Sequence, residues 1–316
     1  MRHTYLYDSL AAIFASAAAP IFRKLAGNQR HLPKYQAAAD RGRFQIRGVG
    51  YYEPTYPAEH LPANVTAERK LPGLDLNDSG QLELLQQCKW SEEISGMLHR
   101  KRESRAFDFE KTMFGRGDAD MLYNFIRLYR PARVIEIGSG DSTLIARFAI
   151  TKNAEEIPDY VCDHVCIEPY EMPWLETAGV KVIRERVENV ELDFFLELRS
   201  NDILFIDSSH VIRPFGDVTR ELQQIVPSLA PGVIVHVHDI FTPRDYPEAW
   251  LRNERRLWSE QYLLEAFLAY NSDFEILAAV NWLKHNHFEE LSKACPSLLT
   301  GLASNPGSFW FRRRNI

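Results

Sequence analysis

From Arg133 onward, short β-branched runs alternate with stretches of helical spacing. Val134–Ile137, Val165–Glu168, Val180–Arg184, Ile203–Asp207 and Val233–Asp239 are apolar along most of their length, as strands covered on both faces require. Between them, Leu144–Ala149, Leu192–Leu198 and Val218–Leu229 have the length and period of helices. This alternation predicts right-handed βαβ units and a mostly parallel sheet. Trp258–Tyr270 reads as an amphipathic helix, followed by two closing strands at Phe274–Val280 and Phe309–Arg312. Upstream, Gln81–Trp90 and Asp118–Tyr129 are also helical in period, whereas residues 28–80 are rich in Pro, Gly and Tyr and have little periodicity. The expected division is an N-terminal helical and aromatic-loop extension over 1–117, a candidate substrate cap, and an α/β domain over 118–316.

Composition narrows the class only a little. The chain has 316 residues, 45% hydrophobic and 25% charged, as an ordinary globular protein does. A net charge of −6 argues against a surface built to coat nucleic acid. Four irregularly spaced cysteines suit a reducing compartment, and the cytoplasm is the expected location. Leu10–Leu25 is apolar but interrupted by Pro20, Arg23 and Lys24, short of the roughly 20 apolar residues of a bilayer span. Asp8 sits where a secretory signal would be basic. The segment reads as a helix packed on the domain or on a partner, with no transmembrane segment; self-association into a homo-oligomer is left open.

The chemistry is concentrated where strands end. Glu136-Ile137-Gly138-Ser139-Gly140 joins the first strand to a helix, and glycine there permits a sharp bend and close approach to a ligand. Asp141, Ser142 or Thr143 can cap the helix that follows. A dinucleotide fingerprint would place a third glycine at Thr143, so a nicotinamide site is disfavoured. Glu168, ending the second strand, can accept both hydroxyls of a ribose. Asp207 and His210 follow the fourth strand, and His238 and Asp239 end the fifth. Ligands of open α/β sheets bind at this edge, and carboxylates with imidazoles can hold a divalent cation there.

The acid-x-Gly-x-Gly turn, Glu168, Asp207, Gly232 at the start of strand five and the late strand pair together resemble class I S-adenosylmethionine-dependent methyltransferases, over roughly residues 118–316. The resemblance implies a Rossmann-like, doubly wound, seven-stranded sheet, mostly parallel with an antiparallel last strand. It implies S-adenosylmethionine as cofactor, with Gly138 and Gly140 facing the methionine part and Glu168 the ribose. Glu136, Gly138, Ser139, Gly140, Glu168 and Asp207 form the expected cofactor set. The rim is similar to that of metal-dependent O-methyltransferases acting on sugars and natural products. Matched by position, their Mg2+ or other divalent cation would fall on Asp207, His238 and Asp239. His238 departs from the pattern, an acid being commoner there.

Two mechanisms follow for Asp207, His210 and His238 as catalytic residues. A metal would lower the pKa of a substrate hydroxyl, or His210 or His238 would remove its proton as general base. His236, one step deeper on the face of His238, reads as a buried, hydrogen-bonded histidine. Cys162 and Cys166 would lie about 13 Å apart on extended chain, too far to share one zinc. Tyr51–Tyr56, Pro243–Pro247 with Arg244, and Trp250 are candidate walls for a small-molecule or sugar acceptor. The competing readings are a non-catalytic methyltransferase-fold binding protein and an NAD-dependent oxidoreductase.

Overall fold

The computed structural model describes residues 2–28, 31–98, 106–170 and 172–315. The chain separates into two compact units, Met1–Asn64 with Arg252–Leu257, and Val65–Leu251 with Trp258–Ile316.

The first unit carries α1 (Arg2–Asn28) and α2 (Pro33–Gly42). α1 is longer than its apolar run suggests, because Pro20 lies inside it and does not end it. A proline in a helix forfeits one backbone hydrogen bond and bends the axis, but a long helix can absorb this. Leu6–Gly27 is therefore a 22-residue helical stretch of mean hydropathy 1.3, long and apolar enough to cross a membrane by length and composition. This corrects the expectation of a segment too short to span. Leu6, Leu10, Ile13, Phe14 and Ile21 are exposed along it at helical spacing.

In the second unit, α3 (Asp78–Leu85), α4 (Ser91–Leu98) and α5 (Asp118–Tyr129) precede β1 (Arg133–Ile137). This unit begins at Val65, well before residue 118, and Leu84, Leu85, Ile94 and Phe114 lie in its core. The chain continues through α6 (Asp141–Glu156), β2 (Asp163–Ile167), β3 (Lys181–Ile183), α7 (Leu192–Phe195) and β4 (Ile203–Ile206). Then come α8 (Asp217–Arg220), a π-helical turn Glu221–Ile225, α9 (Val226–Ser228), β5 (Ile234–Val237) and α10 (Glu260–Leu268). β6 (Phe274–Ala279), α11 (Val280–Asn286), α12 (Phe288–Ala294), α13 (Ser297–Thr300) and β7 (Phe309–Arg313) complete it.

The seven strands form one sheet in the order β3-β2-β1-β4-β5-β7-β6. β1 to β5 are parallel, and β7 runs antiparallel to both β5 and β6. β4 and β5 are buried at every position, β4 as an unbroken apolar run and β5 apolar but for His236. Ile137 is level with Ile167 and Ile206, and Ile206 with Val237, so the next residues of four strands emerge along one edge. That edge delivers Gly138, Glu168, Asp207 and His238.

Candidate active site

Gly138 opens the turn after β1 at φ +77°, a left-handed conformation that costs a side-chain-bearing residue about 1–2 kcal/mol. A Cβ there would stand 1.9 Å from the Asp207 carbonyl oxygen, so only glycine fits between the tips of β1 and β4. The Thr143 hydroxyl donates to the Glu136 carboxylate and accepts the Gly140 N–H at 3.3 Å. Thr143 thus closes the turn where a dinucleotide site would have its third glycine. Glu136 is completely buried behind the turn, bonded to Thr143 and to the Cys166 thiol at 3.4 Å. It holds the loop from beneath and does not line the cleft in front.

That cleft measures about 640 Å³ and is lined by Gly138, Glu168, Tyr170, Arg186, Asp207 and Arg213, among others. The Glu168 carboxylate is fixed at its mouth, accepting the N–H of Tyr170 at 2.9 Å and of Ser139 at 3.4 Å. A fixed acid facing the space beside a bare glycine is the acceptor a ribose diol requires, and the volume suits a nucleoside-sized ligand. These residues fit S-adenosylmethionine.

At the adjoining rim, Asp207, His210, His238 and Asp239 converge. His210 Nε2 lies 3.3 Å from Asp207 Oδ1 and 3.8 Å from Asp239 Oδ2, and its Nδ1 is 2.9 Å from Glu260 Oε2. His238 Nδ1 lies 3.5 Å from Asp207 and 3.7 Å from Asp239, with Nε2 3.6 Å from Asp118. Both imidazoles therefore sit between carboxylates. Burial alone would lower the His210 pKa, but its bonds to Asp207 and Glu260 outweigh this and push it up to about 10. His238 is likewise raised against its burial, by the charges of Asp239 and Asp207. Burial would raise Asp207; the two imidazoles more than reverse this and hold it far below the carboxylate range. His210 and Asp239 both have left-handed backbones, φ +60° and +56°, strain of a kind concentrated at functional sites.

Residues 135–240 match a family model described as a methyltransferase domain. The match runs from β1 past the end of β5 and so takes in Gly138, Glu168, Asp207 and His238. An uncharacterized protein of Archaeoglobus fulgidus is 30% identical over 146 residues, 44% of this chain, which spans 64% of that relative's length. Among solved structures, the O-methyltransferase TomG of Streptomyces achromogenes, involved in tomaymycin synthesis and bound to SAM, is 18% identical. It aligns over 74% of this chain and 90% of its own, with a TM-score of 0.35. A Bacillus cereus O-methyltransferase in complex with SAH is 13% identical over 63% of this chain and 83% of its own, with a TM-score of 0.32.

Two residues of the rim escaped the sequence reading. Glu260, fully buried in the first turn of α10, braces His210, whose backbone carbonyl accepts the N–H groups of Ser259 at 2.8 Å and Glu260 at 3.2 Å. Asp118, opening α5, faces His238 and accepts the N–H groups of Gly307 at 3.0 Å and Ser308 at 2.7 Å. Each acid sits in a helix first turn, where a favourable dipole already accounts for it. His236 is the buried histidine expected. It is stacked on Phe205 at 4.1 Å, bonded to Ser308 at 2.9 Å, and kept neutral by burial and by its neighbour His238.

The metal set expected at the rim is not the one whose ligand atoms lie closest together. Among the described residues, the group whose ligand atoms all lie within 4.8 Å of one another is Glu136, His164 and Cys166, not Asp207, His238 and Asp239. Imidazoles separate the two aspartates where an ion would have to draw them together. The proposed acceptor walls divide similarly. Arg244 is engaged by the Thr66 carbonyl and by Glu68 at 3.3 Å, and Tyr246 is buried with its hydroxyl accepting the Gln261 N–H. Trp250 packs edge-on to Trp258, which lies against the His210 ring at 4.2 Å. In the other unit, Tyr51 and Tyr52 are almost fully exposed.

Proposed function

We propose that this protein is an S-adenosylmethionine-dependent O-methyltransferase acting on a hydroxyl of a small molecule or sugar, with His210 as general base. The reading is carried by one observation: His210, tied to Asp207 and Glu260, stands beside the cleft that Gly138, Glu168 and Asp207 line. The cofactor, when bound, supplies an electrophilic methyl group on a sulfonium. Glu168 holds the ribose, Gly138 lets the cofactor approach the backbone, and His210 takes the acceptor's proton as the oxygen attacks. At neutral pH the raised pKa keeps His210 protonated in the free site. A cationic sulfonium entering beside Asp207 disfavours that second positive charge and turns the imidazole into a base. Charge compensation at the rim comes from the histidines, so this reading requires no divalent cation. The four free cysteines support a reducing, cytoplasmic setting.

The test is calorimetry with S-adenosylmethionine and with NAD, followed by S-adenosylhomocysteine release over a panel of phenols and sugars. Binding of S-adenosylmethionine alone, with turnover that His210→Gln removes and chelation spares, supports the reading. Binding of NAD alone, or activity that needs added Mg2+, overturns it.

A further inference from the structure

The inner face of the sheet gathers three metal-ligating side chains that the active site does not use. β2 places His164 and Cys166 two residues apart, so both point to one face, and its register sets Cys166 level with Glu136 of β1. All three are buried, with His164 and Glu136 wholly shielded from solvent. Cys166 Sγ and His164 Nε2 lie 3.4 and 3.5 Å from the same oxygen, Glu136 Oε2, and the ligand atoms of the trio all fall within 4.8 Å of one another. Donors about 2.0–2.3 Å from a tetrahedral zinc stand some 3.3–3.7 Å apart.

Their bonding points the same way. Among the described residues, neither ring nitrogen of His164 has a hydrogen-bond partner, nor does Glu136 Oε1. A buried imidazole with two idle nitrogens is costly unless something takes its lone pair. The sum of charges also suits an ion: one carboxylate, one thiolate and one neutral imidazole cancel Zn2+, leaving a neutral buried site. Cys162, four residues before Cys166, takes no part.

We propose that Glu136, His164 and Cys166 form a structural zinc site that clasps β1 to β2 beneath the glycine turn. The ion binds as the chain folds, the Cys166 thiol giving up its proton to solvent. Three protein donors leave one tetrahedral position, for a buried water or the Thr143 hydroxyl, which lies 3.9 Å from Cys166 Sγ. The site is independent of the acceptor and of the proposed chemistry at the rim.

The test uses the full chain. Elemental analysis of the purified protein is expected to give about one zinc per chain. Cobalt added to chelator-stripped protein is expected to produce a thiolate-to-cobalt charge-transfer band that Cys166→Ala abolishes and Cys162→Ala retains. Should Cys166→Ala fail to fold, as circular dichroism would reveal, X-ray absorption on the wild-type zinc protein needs no substitution. One sulfur at about 2.3 Å from zinc supports the site. A shell of nitrogen and oxygen alone puts any ion at the rim and overturns it. So does a folded wild-type chain that acquires neither zinc nor the cobalt band.

Discussion

Gly138→Ala puts the packing of the glycine turn to a quantitative test. The new methyl would sit 1.9 Å from the Asp207 carbonyl oxygen and 2.9 Å from its carbonyl carbon, on backbone held at φ +77°. Ordinary contact requires the tips of β1 and β4 to part by roughly 1.5 Å. They are joined there by the Asp207 N–H, which donates to the Ile137 carbonyl at 2.8 Å. Left-handed strain contributes about 1–2 kcal/mol and overpacking about 1–3 kcal/mol. The expected loss is about 2–5 kcal/mol, a large share of the stability of a typical domain, about 5–15 kcal/mol. Urea unfolding with linear extrapolation measures it. Because the displaced residue is Asp207, calorimetry is expected to show S-adenosylmethionine affinity at least about tenfold weaker, a loss of about 1.4 kcal/mol. A variant within about 0.5 kcal/mol of wild type, with unaltered affinity, would refute the close-approach argument.

Other consequences are open to measurement. Glu260→Gln removes the carboxylate facing His210 Nδ1, so the His210 pKa is expected to fall from about 10 toward the ordinary value of 6.5, read by NMR titration; an unchanged value refutes the bracing role. Since the raised pKa means protonation below about pH 10, the unprotonated base becomes more abundant as pH rises. The bound sulfonium lowers that pKa, so kcat/KM for an acceptor at saturating cofactor is expected to rise from pH 6 and level off below pH 10, and a flat profile sinks His210 as base. Arg127→Met removes a buried guanidinium that donates to Asn153 at 2.6 Å and to Glu156 at 2.7 Å. With Glu156 half exposed, the cost is about 2–3 kcal/mol in thermal unfolding, and a change below about 0.5 kcal/mol refutes that contribution.

The strands were legible because parallel strands covered on both faces are apolar along most of their length, and Val134–Ile137 or Ile203–Ile206 can hardly be read otherwise. Helices fared less evenly. Asp118–Tyr129 has a clean period, but α2 begins at Pro33 in a Pro- and Gly-rich region, and its single buried residue, Ala39, gives no stripe to detect. α11 to α13, between the last two strands, are each seven residues or fewer, too short for periodicity to stand out. Asp207, His210, His238 and Asp239 could be gathered from sequence because strand ends of one sheet share an edge. Glu260 and Asp118 could not, since helix docking rather than sheet register brings them there. Glu136 illustrates a different limit: spacing put it at the turn, but only packing determines that it lies behind.

The antiparallel seat of β7 between β5 and β6 has a consequence for how the rim is assembled. Gly307 and Ser308 lead into that strand, and through them Asp118, Ile240 and His236 acquire their partners. Synthesis proceeds from the N-terminus, so β1 to β5 and the glycine turn leave the ribosome while the slot beside β5 is still vacant. A nascent chain can pair its parallel half early, yet Asp118, which faces His238, lacks its Gly307 and Ser308 partners until those residues emerge. During that interval β5 presents an unprotected apolar edge, the hazard that open sheets must otherwise cover. Order of emergence thus separates the half of the sheet that bears the glycine turn from a rim that closes last.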